Sequence, residues 1–356
     1  LRSPSDCQMI GAPCFPTLPS PSAGKPPDPC SASPDHNVRG CIYRHEDGTW
    51  SREGSSDKLV KQENLADYPQ LVEVLQPWGM QYVVDAGSND GFSTWLFARA
   101  LPNATVIAIE ANLGNYLMTR LNTQSLSNVH TVHAALWRSS ETLRVAGQRL
   151  GNVGINAVPM NIRARSSETV AGVEMQTLME KACFPRVDFL KMDIEGGEMN
   201  VLADKPRWLR KVRFFWMEAH PNGGNSNMTD LSQVQHHRPL EPLLDTLLGA
   251  GLMVFTVPNQ RHPARHGKFV AREWMFLGCA SSETTADVCM DWCRRWRRGT
   301  GVTCSRVMHR ADFWGTPHTK ADCQLPTTGL PMTTAAAKEL CLGTASEREQ
   351  HVTRVS

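Results

Sequence analysis

Short apolar runs recur along the middle of the chain, at 82–86, 105–109, 129–133, 187–193, 212–218, 252–257 and 273–279. Each has the length and bounding polar residues of a buried strand. Between most of them the apolar spacing switches to a helical period, over about 92–101, 113–122, 197–204 and 239–250. Ahead of the first run, apolar residues at 59, 60, 65, 68, 71, 72, 74 and 75 predict a leading helix. Strand alternating with helix predicts a parallel sheet covered on both faces, since parallel neighbours need a crossover that a helix supplies. The last two runs can pair antiparallel.

The flanks follow another pattern. Residues 1–35 carry nine of the 23 prolines among Ser, Gly and Asp, a composition that builds no helix or central strand and reads as a linker or stalk. From Cys41 to about Ser56 a Gly- and charge-rich loop is expected. Beyond Cys279 no period is sustained. The expected division is therefore 1–57 as a Pro/Cys-rich linker, 58–280 as the catalytic domain and 281–356 as a Cys-, Arg- and Trp-rich extension.

With 41% hydrophobic and 20% charged residues, the composition excludes wholesale disorder and a disulfide miniprotein. A net charge of +2 names no polyanionic partner, and no nucleic acid is expected. No stretch approaches the roughly 18 consecutive apolar residues of a membrane-spanning helix. The chain opens at Leu1 without a leader pattern, so residues are expected to precede it. Ten of the 11 cysteines lie in the flanks (Cys7, Cys14, Cys30, Cys41, Cys279, Cys289, Cys293, Cys304, Cys323, Cys341), and Cys183 lies between. This suits disulfides formed in an oxidising compartment, and the sequons at Asn103 and Asn227 are compatible with a secretory route to the Golgi lumen or outside; reduced thiols in a cytoplasmic protein are the alternative.

The strongest chemical signal is Asp85-Ala86-Gly87-Ser88-Asn89-Asp90-Gly91, where an apolar strand ends in an acid and a Gly-punctuated turn before a helix. Gly87 and Gly91 allow a tight turn and a close ligand approach. The dinucleotide pattern G-x-G-x-x-G is absent, and an acid before the first glycine would repel a pyrophosphate but accept a hydrogen bond from an ammonium group. Nineteen residues past Gly91, the next strand ends in Glu110, where an acid can accept both hydroxyls of a ribose. These residue types favour S-adenosylmethionine over NAD. A second strand, at 187–193, delivers Asp193, Glu195 and Glu198 to the same edge, and the strand after it delivers Glu218 and His220. Asp193, Glu195, Glu218 and His220 are expected to converge above the cofactor, with His220, Asp193 or Glu195 as the proton acceptor. Glu198 is read as capping the following helix.

These motifs resemble the FkbM-type S-adenosylmethionine-dependent methyltransferases. The likeness rests on Asp85-x-Gly87-x-Asn89-x-Gly91, on Glu110 and on the apolar strand running into Asp193-Ile194-Glu195-Gly196-Gly197-Glu198, with Asn128-Val129 through Ala134-Ala135-Leu136 matching the third strand and adenine-contact loop. The resemblance spans about residues 60–280. It implies a class I methyltransferase (Rossmann-like) α/β fold, a seven-stranded, mostly parallel sheet with helices on both faces. It also implies methyl transfer to a hydroxyl, often of a sugar, glycan or secondary metabolite. The cofactor-binding set it implies is Asp85, Gly87, Ser88, Asn89, Gly91, Glu110, Ala111, Asn112, Ala134, Ala135 and Asp193. Departures are Gly197, where Ala is common, and an insert at 221–239 containing His236-His237.

No resident metal is expected. A divalent cation on Asp193 and Glu218 is the alternative means of acidifying the acceptor hydroxyl. The Arg- and Trp-bearing run from Met290 to Arg310 leaves open a different class of function, a luminal or extracellular glycan-binding protein that keeps the fold without turnover. An NAD-dependent oxidoreductase on a similar sheet is disfavoured by Asp85 and Asn89.

Overall fold

The computed structural model describes residues 42–146, 155–162, 168–220, 241–257, 274–280, 289 and 305–307. The linker to residue 41, the 221–239 insert with its sequon and His pair, and the basic run after Met290 lie outside the described residues, apart from 305–307.

The core of the fold is an eight-stranded mixed sheet. Five of its strands are parallel: β3 (Tyr82–Ala86), β4 (Thr105–Glu110), β5 (Val129–His133), β10 (Val187–Met192) and β11 (Val212–Ala219). The chain builds outward from β3 through β4 to β5, then returns to place β10 on the other side of β3, with β11 beyond it. The β13 strand (Trp274–Ala280) inserts antiparallel between β11 and β12 (Leu252–Val257). Numbered among themselves, the seven expected strands run 3-2-1-4-5-7-6, which is the class I methyltransferase arrangement, and the expected antiparallel pair is present. An eighth strand, β14 (Ser305–Val307), adds to β12 from beyond the expected sheet.

Alternation along each strand divides the core between two layers. Val84, Ile107, Leu190, Phe215 and Met217 pack on one face with α4 (Met175–Lys181) and α6 (Glu241–Gly249). Val83, Val106, Phe189, Phe214 and Trp216 pack on the other with α1 (Asp57–Leu75) and α2 (Phe92–Ala100). Such two-sided burial is why these strands read as largely apolar runs. Gly278 is fitted to this packing, since a Cβ there would stand 2.0 Å from Phe215 Cε1.

Two features depart from the expected organisation. Residues 135–173 form a separate four-stranded sheet of β6 (Ala135–Leu136), β7 (Thr142–Ala146), β8 (Asn156–Pro159) and β9 (Thr169–Val173), with a small core of Trp137, Leu143, Val145 and Val170. In the region expected to be a loop, β1 (Ile42–Arg44) and β2 (Trp50–Arg52) pair as a hairpin. Polar anchors dock it: Trp50 N–H donates to Asn122 Oδ1 at 2.6 Å, and Arg52 makes a bidentate pair with Asp57. Cys279 and Cys289 are joined by a disulfide, in line with the expectation for these two flank cysteines, and Cys183 is also disulfide-bonded. Among the described residues, no helix is long and apolar enough to cross a membrane.

Candidate active site

The order of the sheet reverses between β3 and β10, and at such a switch point the crevice beyond the carboxyl ends of the strands is open to a ligand. Both motifs singled out in the sequence end there.

At the β3 side, Gly87 (φ +80°) turns the chain so tightly that its N–H and that of Ser88 both donate to Ile109 O, at 2.9 and 3.1 Å. A Cβ on Gly87 would lie 1.8 Å from Asp193 O, and one on Gly91 (φ +81°) 2.6 Å from Thr119 Cα. The two glycines are therefore required both by their left-handed backbone and by close packing against β10's exit and α3 (Leu113–Thr123). Ser88 Oγ lies 3.1 Å from Thr119 Oγ1, which donates to Asn89 O at 2.8 Å.

Glu110 ends β4 and holds this turn from below. Its Oε2 accepts from Asn89 N–H and its Oε1 from Asn112 N–H, both at 2.9 Å. Burial pushes the carboxyl up to about 7, against the downward pull of those two N–H groups. Each carboxylate oxygen retains acceptor capacity after one such bond. Beside it, the buried Asn89 Oδ1 has no hydrogen-bond partner among the described residues. Asn112 caps α3 by accepting from Asn115 N–H at 3.0 Å, and Ala111 O stands 3.1 Å from His133 Nε2, whose ring stacks on Tyr116. Ala134 and Ala135 follow β5 and are buried, with Ala134 N–H donating to Glu110 O.

Asp85 occupies a less open position than the sequence suggested. Its carboxylate is fully buried, with Oδ2 accepting from Ser93 Oγ and Thr94 Oγ1, both at 2.6 Å, while Lys191 Nζ stands 3.2 Å from Oδ1. Lys191 also donates to Gly87 O at 2.6 Å and lies 3.9 Å from Asp193 Oδ2. Burial alone would lower the Lys191 pKa, but Asp85 and Asp193 more than offset it and hold the ammonium charged. Lys191 was not assigned from sequence. Its signal was a lone cation inside a strand otherwise apolar enough to be buried on both faces, where an unpaired Lys is almost never found.

At the β10 side, Asp193 N–H donates to Ala86 O at 3.0 Å, which locks the two motifs together. Asp193, Glu195 and His220 converge, with donor atoms all within 4.8 Å of one another. His220 Nε2 faces Glu195 Oε2 at 3.5 Å, and its Nδ1 faces Glu198 Oε1 at 3.4 Å. Burial would lower the imidazole pKa, yet Glu195, Glu198 and Glu218 together raise it well above its ordinary value. The fully buried Glu198 accepts from Ile194 N–H at 3.0 Å and Gly196 N–H at 2.9 Å, so it holds the loop that enters α5 (Glu198–Val201). Glu218 is buried and acts on His220 electrostatically, but the group of three potential ligands that comes together among the described residues takes Glu195 and His220 with Asp193, and not Glu218.

Residues 85–241 match the family described as Methyltransferase FkbM domain. No curated protein matches the chain. Among solved structures, methyltransferase FkbM from Methylobacillus flagellatus KT aligns at 14% identity and a TM-score of 0.31, over 56% of this chain and 44% of that one, so less than half of that protein is spanned. The fibrillarin pre-rRNA processing protein of Methanococcus jannaschii aligns at 10% identity and a TM-score of 0.35, over 70% and 86% of the two chains. A putative O-methyltransferase from Klebsiella pneumoniae aligns at 16% identity and 0.32, over 59% and 78%.

Proposed function

We propose, from the match of residues 85–241 to the family described as Methyltransferase FkbM domain, that the protein is an S-adenosylmethionine-dependent O-methyltransferase acting on a hydroxyl of a sugar, glycan or small molecule. The observation that carries the reading is the junction of the Gly87 turn with Asp193, which sets Glu110 on one side of the switch point and the Asp193–Glu195–His220 group on the other.

The residues present fit the cofactor. Glu110 offers acceptor oxygens for a ribose, and the unpartnered Asn89 Oδ1 beside it offers another. The buried Ala134 and Ala135 suit the apolar side of an adenine. Asp193, partly exposed, is the acid in reach of an ammonium, and the fully buried Asp85 acts only through the turn it stabilises. When bound, S-adenosylmethionine supplies a methyl group already activated on a sulfonium.

What remains for the chain is to orient the acceptor oxygen and take its proton, and orientation supplies most of the acceleration in such a reaction. Asp193, Glu195 and His220 form the proton-accepting group. Each of the three reaches the crevice from the exit of β10 or the end of β11, so any one of them can take the proton. The disulfide at Cys279 supports the further proposal that the protein works in a secretory compartment.

Calorimetric titration with S-adenosylhomocysteine, with NAD as comparison and Glu110→Ala as the control, tests the reading. Micromolar binding that the substitution abolishes is expected. Binding of NAD without S-adenosylhomocysteine would refute it.

A further inference from the structure

We propose that Asp193, Glu195 and His220 form a binding site for a divalent cation, which positions the acceptor hydroxyl; this role rests on the methyltransferase reading, whereas the binding chemistry does not. The three side chains reach the site from two different elements, the β10 exit loop and the end of β11, with their donor atoms within 4.8 Å of one another. A cation with bonds of about 2.0–2.2 Å places its ligands roughly 3 to 4.4 Å apart, so the group closes on an ion with small side-chain rotations.

A second observation concerns the imidazole rather than the acids. Metal-bound histidines generally give their other ring nitrogen to a carboxylate, which fixes the ring's orientation. Glu198 fills this position: its Oε1 stands 3.4 Å from His220 Nδ1 and is itself held by Ile194 N–H, so that Nε2 is the nitrogen turned toward Glu195. Glu198 and His220 are both buried, and Asp193 is fixed by its backbone bond to Ala86 O and by its packing on Gly87. The ring and one acid are thus set in place before any ion arrives.

The ligand types point the same way. Two carboxylates and one imidazole make a mixed oxygen–nitrogen set, which suits a first-row divalent ion such as Mn²⁺ better than Ca²⁺, and three protein ligands leave positions open for an acceptor oxygen.

The test is titration of the chelator-stripped full chain with Mn²⁺, followed by calorimetry and by water-proton relaxation, alongside a separate titration with S-adenosylhomocysteine. One equivalent of Mn²⁺ is expected to bind. Glu195→Gln, which keeps the shape of a partly exposed side chain, and His220→Asn should each weaken it at least about tenfold, and Glu198→Gln by about 10- to 100-fold through the ring's orientation. Thermal unfolding without Mn²⁺ confirms that each variant is folded. Absence of Mn²⁺ binding by the wild-type chain, or binding indifferent to Glu195→Gln, overturns the proposal. If S-adenosylhomocysteine still binds in that case, the methyltransferase reading survives. If Mn²⁺ binds and S-adenosylhomocysteine does not, the cation site stands and the methyltransferase reading falls.

Discussion

The two halves of the crevice are built from similar residue types in different ways. On the β3–β4 side, Glu110 is bonded by backbone N–H groups, and the turn itself is tied by backbone bonds to Ile109 O. On the β10–β11 side, charged side chains face one another, with His220 between Glu195 and Glu198. Backbone donors fixed by two strands cannot reorganise, so the first half presents a rigid shape with acceptors already aimed, which favours a ligand of constant structure. Facing side chains in a buried setting hold charge that responds to whatever enters, because low surrounding polarity strengthens each interaction. That arrangement suits proton transfer or cation capture. The difference assigns cofactor recognition to one half and chemistry to the other.

The strongest way to break the division is to disturb a place where the halves touch. In Gly87→Ala the new methyl would meet Asp193 O at 1.8 Å, and the residue would retain a φ near +80°. Backbone strain of about 1–3 kcal/mol and overpacking of about 1–3 kcal/mol predict a loss on the order of 4 kcal/mol, measured by denaturant unfolding. Binding of S-adenosylhomocysteine and of Mn²⁺ should be lost together. Retention of either would show that the halves are less tightly joined than the Gly87–Asp193 contact implies.

A smaller effect separates the halves. Glu110→Gln removes a charged acceptor while preserving its size, and hydrogen bonds to a charged group contribute about 1.5–3 kcal/mol, so affinity for S-adenosylhomocysteine should fall by roughly ten- to a hundredfold. Mn²⁺ binding should not change. In the free protein burial raises Glu110 from 4.5 to about 7. If the ionised form accepts the ribose hydroxyls, wild-type affinity rises as pH increases through about 7, and the variant loses that slope. An unchanged slope in the variant would place the titrating group elsewhere.

These assignments also show what the sequence made legible. Strands β3, β5 and β12 fall at the expected boundaries; β12 is apolar but for Thr256, and β3 is apolar but for Asp85. The ends of β4, β10 and β11 located Glu110, Asp193 and His220 at one edge, because each closes a strand of the parallel part of the sheet. The small sheet over 135–173 was not legible. Its strands have two to five residues, too few to establish a period, and β7 pairs with β9 across a long intervening segment. The hairpin at 42–52 escaped for a related reason: Asn122 and Asp57 hold it by polar contacts, which leave no hydrophobic pattern in the strands. Asp85 lies in β3 beside the turn, and its commitment to Ser93, Thr94 and Lys191 depends on side-chain geometry that spacing does not encode.

The smallest expected effect probes the exception on the cofactor side, a buried carboxyl within the turn itself. Asp90 accepts from Phe92 N–H at 3.1 Å, and burial, followed by the charge of Asp57, raises it from 3.8 to about 7 despite Arg52 nearby. A folded-state pKa above the unfolded one means that the native chain binds the proton more tightly, so this group's contribution to stability falls as pH rises from about 4 toward about 7. Asp90→Asn keeps an oxygen to accept from Phe92 and removes the charge. The variant should match the wild type near pH 4 and exceed its stability at pH 8. Denaturant midpoints across that range would measure the difference. Loss of stability at pH 8 would mean that Asp90 is held as a carboxylate, and that buried charge is as much a part of the cofactor half as of the catalytic one.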